Sequence, residues 1–206
     1  MDAETRPPYS VLAAVYDVVM EHVDYDIWAE YVHELLQMHR HPFTSVLELG
    51  SGTGSFAFAF QEWGPYDFVA IDASPQMTEV ARRKAEMYNA KVQFEVADFT
   101  NFRLEHPVDF AVLLYDGLNY LLLEEQVRDL FRCVHAALKP GSLFLFDQCT
   151  PANSINNADF FGDEGEAEGV TYVRKSHYDV ETMLHTTAFD ITVGDAVFSE
   201  THVERA

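Results

Sequence analysis

The chain has 206 residues, 48% apolar and 23% charged, enough for one domain with a real core and too few for two fused enzymes. The 13 Lys and Arg against 34 Asp and Glu leave a formal net charge of −21, shared between residues 1–150 (−13) and 151–206 (−8). Such a surface repels phosphate backbones and anionic lipid headgroups, so nucleic acid and membranes are poor partners, and its main physical effect is solubility.

No apolar run approaches the roughly 18 residues of a membrane span, and Met1-Asp2-Ala3-Glu4 is acidic where a signal peptide would be basic, so a cytoplasmic protein is expected. Cys133 and Cys149 lack the spacing of a zinc or redox pair and read as reduced structural thiols. In chain order, helices are predicted around Val11–Met20 and Ile27–Met38, rich in aromatics (Tyr9, Tyr16, Tyr25, Trp28, Tyr31). From residue 43 onward, apolar strands (Ser45–Leu49, Phe68–Asp72, Val92–Val96, Val108–Tyr115, Ser142–Asp147) alternate with helices. Those helices are Ser55–Trp63, Pro75–Asn89 behind the capping Ser74, and Glu124–Leu138, the last stopped by Pro140-Gly141. Residues Asn153–Gly169 read as loop, and Val170–Tyr178, Thr182–Val193 and Ala196–Val203 as an antiparallel meander. The fold class is therefore α/β, a Rossmann-like, doubly wound and mostly parallel sheet. As one domain it divides into N-terminal helices (1–42), a ligand-binding core (43–150) and an antiparallel extension (151–206).

The informative segment is Val46-Leu47-Glu48-Leu49-Gly50-Ser51-Gly52-Thr53-Gly54-Ser55, a buried strand running through three glycines into a helix. Glycines there allow a tight turn and close approach of a ligand to the backbone. Eighteen residues after Gly54, Asp72 ends the adjacent strand, where a carboxylate can accept two hydrogen bonds from a ribose diol. A nicotinamide fingerprint would need glycine at position 55, which is Ser55, and no phosphate-binding lysine follows the loop.

The pattern Glu48-x-Gly50-x-Gly52-x-Gly54 resembles the first motif of the class I S-adenosylmethionine-dependent methyltransferases, and the likeness runs over about residues 9–150. Within it, Asp72 matches the ribose-binding acid, Met77 the residue that packs on adenine, and Ala97-Asp98-Phe99 the third motif, whose aspartate contacts the adenine amino group. Leu114-Tyr115-Asp116-Gly117-Leu118-Asn119-Tyr120-Leu121 resembles the segment lining the methyl-transfer site, and Leu138-Lys139-Pro140-Gly141-Ser142 the turn before the fifth strand. The N-terminal aromatics resemble a lid over the methionine end of the cofactor. The resemblance thus implies S-adenosylmethionine as cofactor, S-adenosylhomocysteine as product, and a binding set of Tyr16, Glu48, Gly50, Ser51, Gly52, Thr53, Gly54, Asp72, Ala73, Met77, Asp98, Phe99 and Tyr115.

A sulfonium methyl is already activated, so alignment and exclusion of water matter more than acid–base chemistry. Where the acceptor is an amine or hydroxyl, Asp116 and His177 are the candidate proton acceptors, with Tyr115 beside them. The histidines show no ligand spacing, and no metal is expected. The implied function is methyl transfer to a nitrogen or oxygen of a small soluble acceptor. The alternative is a non-catalytic or partner-dependent cofactor-binding protein. Relatives continue with a helix and two more strands where this chain stops at Glu204-Arg205-Ala206, which would leave Leu143–Phe146 as a sheet edge. A homodimer or reduced stability is the expected consequence.

Overall fold

The computed structural model describes residues 3–39, 42–156, 162–167 and 169–206. The chain starts with β1 (Glu4–Arg6), a 3-10 turn (Leu12–Ala14), α1 (Tyr16–Val19) and α2 (Tyr25–Gln37). There follow β2 (Ser45–Leu49), α3 (Ser55–Gln61), β3 (Asp67–Asp72), α4 (Pro75–Tyr88), β4 (Val92–Val96) and β5 (Val108–Leu113). After a second 3-10 turn (Gly117–Tyr120) come α5 (Glu124–Ala137), β6 (Leu138–Phe146) and α6 (Pro151–Asn156). The last strands are β7 (Gly162–Ala167), β8 (Val170–Asp179), β9 (Leu184–Val193) and β10 (Ala196–Arg205).

The first sheet is parallel, in the order β4-β3-β2-β5-β6. The chain winds outward from β2 to β4 and returns to β5 on the other side, so the order reverses beside β2. In an open parallel sheet a ligand sits outside the strand ends at that reversal. Apolar runs on β2, β3 and β5 are buried on both faces. On one face Ala29, Val32, Phe56, Phe60 and Ala81 pack against Val46, Phe68, Ala70, Phe110 and Val112. On the other, Leu130, Val134 and Ala137 of α5 cover Leu47, Leu49, Ala111 and Leu113.

The second sheet runs β1-β10-β9-β8-β7, antiparallel except for the parallel β1–β10 pair. Leu12, Val15 and Val19 are buried against Tyr172, Phe189 and Ile191, so the N-terminal segment is held between the two sheets' loops and the meander.

Three expectations change. The helix expected over Val11–Met20 breaks at Val15 (φ −120°) into a 3-10 turn and the short α1. The helix expected to run to Leu138 ends at Ala137, and Pro140-Gly141 lie inside β6. They fit there because β5 pairs Val108 with Leu138 but Phe110 with Leu143, a register shift that lets residues without a ladder hydrogen bond bulge. The loop expected over Asn153–Gly169 contains α6 and β7, while residues 157–161 and 168 lie outside the described residues. β7 is poor in strand formers and owes its form to its partner: Asp163 pairs with Arg174 at 2.8 Å, and Gly165 lies under the Tyr172 ring, where a Cβ would come within 2.7 Å. β1 had no sequence signal at all.

β6 is the outer strand on its side, and Phe131, Phe144 and Phe146 cluster beside it with Phe146 41% exposed. An open, apolar edge favours association. Concentration-dependent self-association is therefore expected in light scattering, and Phe146→Lys should weaken it. A monodisperse monomer of high melting temperature would overturn that expectation.

Candidate active site

The loop after β2 turns on three glycines with positive φ, at 64°, 54° and 83° for Gly50, Gly52 and Gly54. At Gly54 packing adds a second demand, since a Cβ would meet the Phe94 ring at 2.6 Å. The Gly52 N–H donates to Asp72 Oδ2 at 2.8 Å and the Ser74 N–H to Asp72 Oδ1 at 2.7 Å, so the carboxylate at the tip of β3 fixes both its own turn and the neighbouring loop. Burial raises the Asp72 pKa, partly offset by those two N–H groups. Ser74 caps α4 by accepting from the Met77 N–H, and its hydroxyl donates to the Tyr9 carbonyl.

Glu48 is 6% exposed, lines the same pocket as Gly50 and Gly52, and has an Oε2 without a hydrogen-bond partner. Burial, then the charge of Asp72, pushes its pKa well above the usual carboxylate range. A buried carboxylate with no partner is costly unless a cation meets it. A glycine backbone, a diol acceptor at Asp72 and an unmatched acid at Glu48 together suit a nucleoside that also carries a positively charged amino-acid group.

Aromatic side chains close this pocket. Tyr16 and Tyr25 line it, and Tyr115 packs against Tyr25 and Trp28 with ring centroids 5.5 Å away in both cases. Asp17 of α1 fastens the lid to the loop: it accepts from Thr53 Oγ1 at 2.5 Å and from Lys84 Nζ at 2.8 Å, and Lys84 also donates to Ser55 Oγ at 3.1 Å.

Beyond β5 the backbone is strained. Tyr115 and Asp116 both adopt φ near 59°, a left-handed conformation unusual for two successive non-glycine residues. Asp147, just past β6, holds them there by accepting from both N–H groups, at 2.9 and 3.1 Å. Buried Asn119 ties the next turn to the chain ends: it donates to the Cys149 and Arg205 carbonyls at 2.9 and 2.5 Å and accepts from the Cys149 N–H at 3.0 Å. Tyr120 hydrogen-bonds Tyr9 and His202 Nδ1, the latter at 3.1 Å. Burial, then Asp147, raises Asp116 to about 6, and burial, then Asp116, raises Glu204 to about 7.

The fold thus brings Tyr16, Glu48, the glycine loop, Ser51, Thr53, Asp72, Met77, Tyr115 and Asp116 to one end of the parallel sheet. Met77 is buried, its Cε 3.8 Å from where a Cβ on Gly52 would lie, and the Phe99 ring approaches the same construction on Gly50 at 3.7 Å. Ala73 is exposed, and Asp98 is exposed with one oxygen accepting from the Thr100 N–H and hydroxyl. His177 does not join the group. It stands exposed on β8 opposite Thr186, on the strand face away from buried Tyr172 and Tyr178, with His185 and Asp179 as titratable neighbours. Asp147, Glu200, His202 and Glu204 were not anticipated, whereas Asn119 lies in the segment expected to line the methyl-transfer site. Of those four, only Asp147, ending a predicted strand, carried a sequence signal.

Residues 46–141 match the model of the methyltransferase domain family. YqeM of Bacillus subtilis (strain 168), a protein named as a methyltransferase, is 30% identical over 206 residues, covering 96% of this chain and 79% of its own length. An S-adenosylmethionine-dependent methyltransferase structure from Clostridium acetobutylicum ATCC 824 superposes with a TM-score of 0.76 at 22% identity, over 96% of this chain and 81% of that one. CalS10, an amino pentose methyltransferase from Micromonospora echinaspora solved with S-adenosylmethionine bound, gives 0.71 at 21% identity over 93% and 81%. The chain belongs to the class I S-adenosylmethionine-dependent methyltransferases.

Proposed function

We propose that the chain transfers a methyl group to a nitrogen or oxygen nucleophile of a small acceptor. The observation that carries this reading is the shared wall at Tyr115, which lines the cofactor pocket and is followed directly by the strained, half-buried Asp116. Donor and acceptor sites so joined can hold nucleophile and methyl carbon in line. S-adenosylmethionine, when bound, supplies a sulfonium methyl that needs no further activation. Asp72 would take the ribose hydroxyls, Met77 and Phe99 would flank the adenine, and Glu48 would meet the methionine ammonium. Tyr16, Tyr25 and Tyr115 would keep water from the methyl group. The small-acceptor reading is supported by the enclosed site, by the negative surface and by the likeness to CalS10.

The test is calorimetric titration with S-adenosylhomocysteine, followed by incubation with methyl-labelled S-adenosylmethionine and a panel of small amines and alcohols. Micromolar binding with label appearing in an acceptor is expected. Binding without transfer to any acceptor would favour the partner-dependent alternative, and no binding by a folded chain would defeat the reading.

A further inference from the structure

We propose that Asp147 is a positioning residue of the cofactor pocket, holding the backbone of Tyr115 so that the Tyr115 ring forms a fixed wall of that pocket; this rests on the cofactor reading above. Among the described residues Asp147 makes no hydrogen bond to the glycine loop or to Asp72, and its carboxylate reaches the pocket through the main chain of Tyr115.

Tyr115 is half-buried and lines the pocket with Glu48, Gly50 and Gly52. Its ring packs on Tyr25 and Trp28 of α2, with centroids 5.5 Å away in each case, so one side of the wall is set by the lid. The other side is set by the backbone, which stands in a conformation that residues with a Cβ rarely adopt. Tyr115 and Asp116 both have φ of 59°, and such residues persist only where the surroundings over-determine them.

Asp147 supplies that constraint. Its Oδ2 accepts from the Tyr115 N–H at 2.9 Å and its Oδ1 from the Asp116 N–H at 3.1 Å, so one carboxylate holds two successive left-handed residues. The carboxylate is itself fixed, because the Asp147 N–H donates to the Leu113 carbonyl at 3.2 Å, one step past the Leu113–Phe146 pair that ends the β5–β6 ladder. Asn119 exchanges two hydrogen bonds with the Cys149 main chain, at 2.9 and 3.0 Å, and stitches the rest of the turn to the same segment. Gly117 lets the turn press onto Leu113, since a Cβ there would overlap Leu113 Cδ1, the atom that lies 3.5 Å from where a Cβ on Gly50 would stand. The turn and the glycine loop therefore share one support.

Glycine at 115 and 116 would reach this conformation with no clamp. With tyrosine at 115, the clamp keeps the ring in the wall. Without it, both residues relax toward negative φ, the Cα–Cβ direction of Tyr115 turns, and the pocket opens to water between Tyr25 and Leu114.

The test is a double-mutant cycle on S-adenosylhomocysteine affinity. Wild type, Asp147→Ala, Tyr115→Ala and the double variant are compared by calorimetry, each beside a melting curve. Each single substitution should weaken binding about tenfold, and the double variant should bind no more weakly than Tyr115→Ala alone, because Asp147 then has no ring to position. Fluorescence gives a second readout. In a Trp63→Phe background Trp28 is the sole tryptophan, and Asp147→Ala should shift its emission as the Tyr115 ring leaves it, but should not do so once Tyr115 is alanine. Asp147→Asn keeps one acceptor oxygen and should fall between wild type and Asp147→Ala, and it replaces the alanine variant in the cycle if that variant does not fold. Wild-type affinity in a folded Asp147→Ala protein would overturn the proposal. So would additive losses of about 10²-fold in the double variant, which would mark a general structural role. Failure of the folded wild type to bind S-adenosylhomocysteine would instead strike the cofactor reading itself.

Discussion

Asp72→Ala lowers the affinity for S-adenosylhomocysteine by about 10²–10³-fold while the chain stays folded. Two hydrogen bonds from ribose hydroxyls to an ionised acceptor, at roughly 1.5–2 kcal/mol each, would account for about 3–4 kcal/mol of binding energy. The same substitution releases the Gly52 and Ser74 N–H groups, so the loop loses the anchor that shapes it. Asp72→Asn is not a rescue, because its amide must turn an NH₂ toward one of those two donors. Burial raises the Asp72 pKa, so affinity should also fall on acidification earlier than for an ordinary carboxylate, as protonation removes one acceptor. Calorimetry of both variants beside a melting curve decides it. Wild-type affinity in a folded Asp72→Ala protein would remove Asp72 from the cofactor site.

The glycine loop and its acidic partner were legible because their signals are local. Glycines must stand where φ is positive, an acid must stand at the next strand tip, and Ser74-Pro75 opens a helix whose first turn supplies Met77. Alternation of buried strands and amphipathic helices likewise fixed the parallel sheet. The polar cluster on β10 was not legible, because its residues meet their partners only through tertiary pairing. Glu200 and His202 are two polar positions in a strand whose alternation could equally have faced solvent, and only the register of β10 against β9 aims them inward. His177 illustrates the same ambiguity in reverse: one residue of strand parity separates it from buried Tyr178. β7, with its Gly-Asp-Glu-Gly-Glu-Ala sequence, needed β8 and Arg174 to become a strand.

Glu200→Ala should be the most damaging single substitution to stability, and it should reach the cofactor site from a distance. Glu200 has no exposed surface, yet it accepts from the N–H groups of Tyr9 (2.8 Å), Val11 (2.5 Å) and Leu12 (3.1 Å) and from the Ser10 hydroxyl (3.0 Å). Residues 9–12 form an irregular segment entering a 3-10 turn, so these donors have no ladder to satisfy them, and one carboxylate takes the place of a secondary structure. Its removal leaves several buried donors unpaired and costs about 3–5 kcal/mol, a large share of the stability of an ordinary domain. For a chain of this length that corresponds to a fall in melting temperature of roughly 10 °C. Burial alone would raise the Glu200 pKa, but the neighbouring His202 imidazole, its Nε2 3.6 Å away, and the hydrogen bonds from Val11, Leu12 and Ser10 outweigh it and the net shift is downward. The stabilisation is therefore complete above the ordinary glutamate range and lost as pH falls through the lower folded value, a loss that Glu200→Ala should abolish. The effect travels because the Tyr9 carbonyl accepts from Ser74 Oγ and the Tyr9 ring packs on Tyr16 at 5.8 Å. Loosening residues 9–12 should thus weaken S-adenosylhomocysteine binding although Glu200 touches no part of the pocket. Glu200→Gln, which keeps one acceptor oxygen, should fall between the two proteins in both melting temperature and affinity. An alanine variant that melts and binds like the wild type would show that the lid is held by its apolar contacts with Tyr172, Phe189 and Ile191 rather than by this carboxylate.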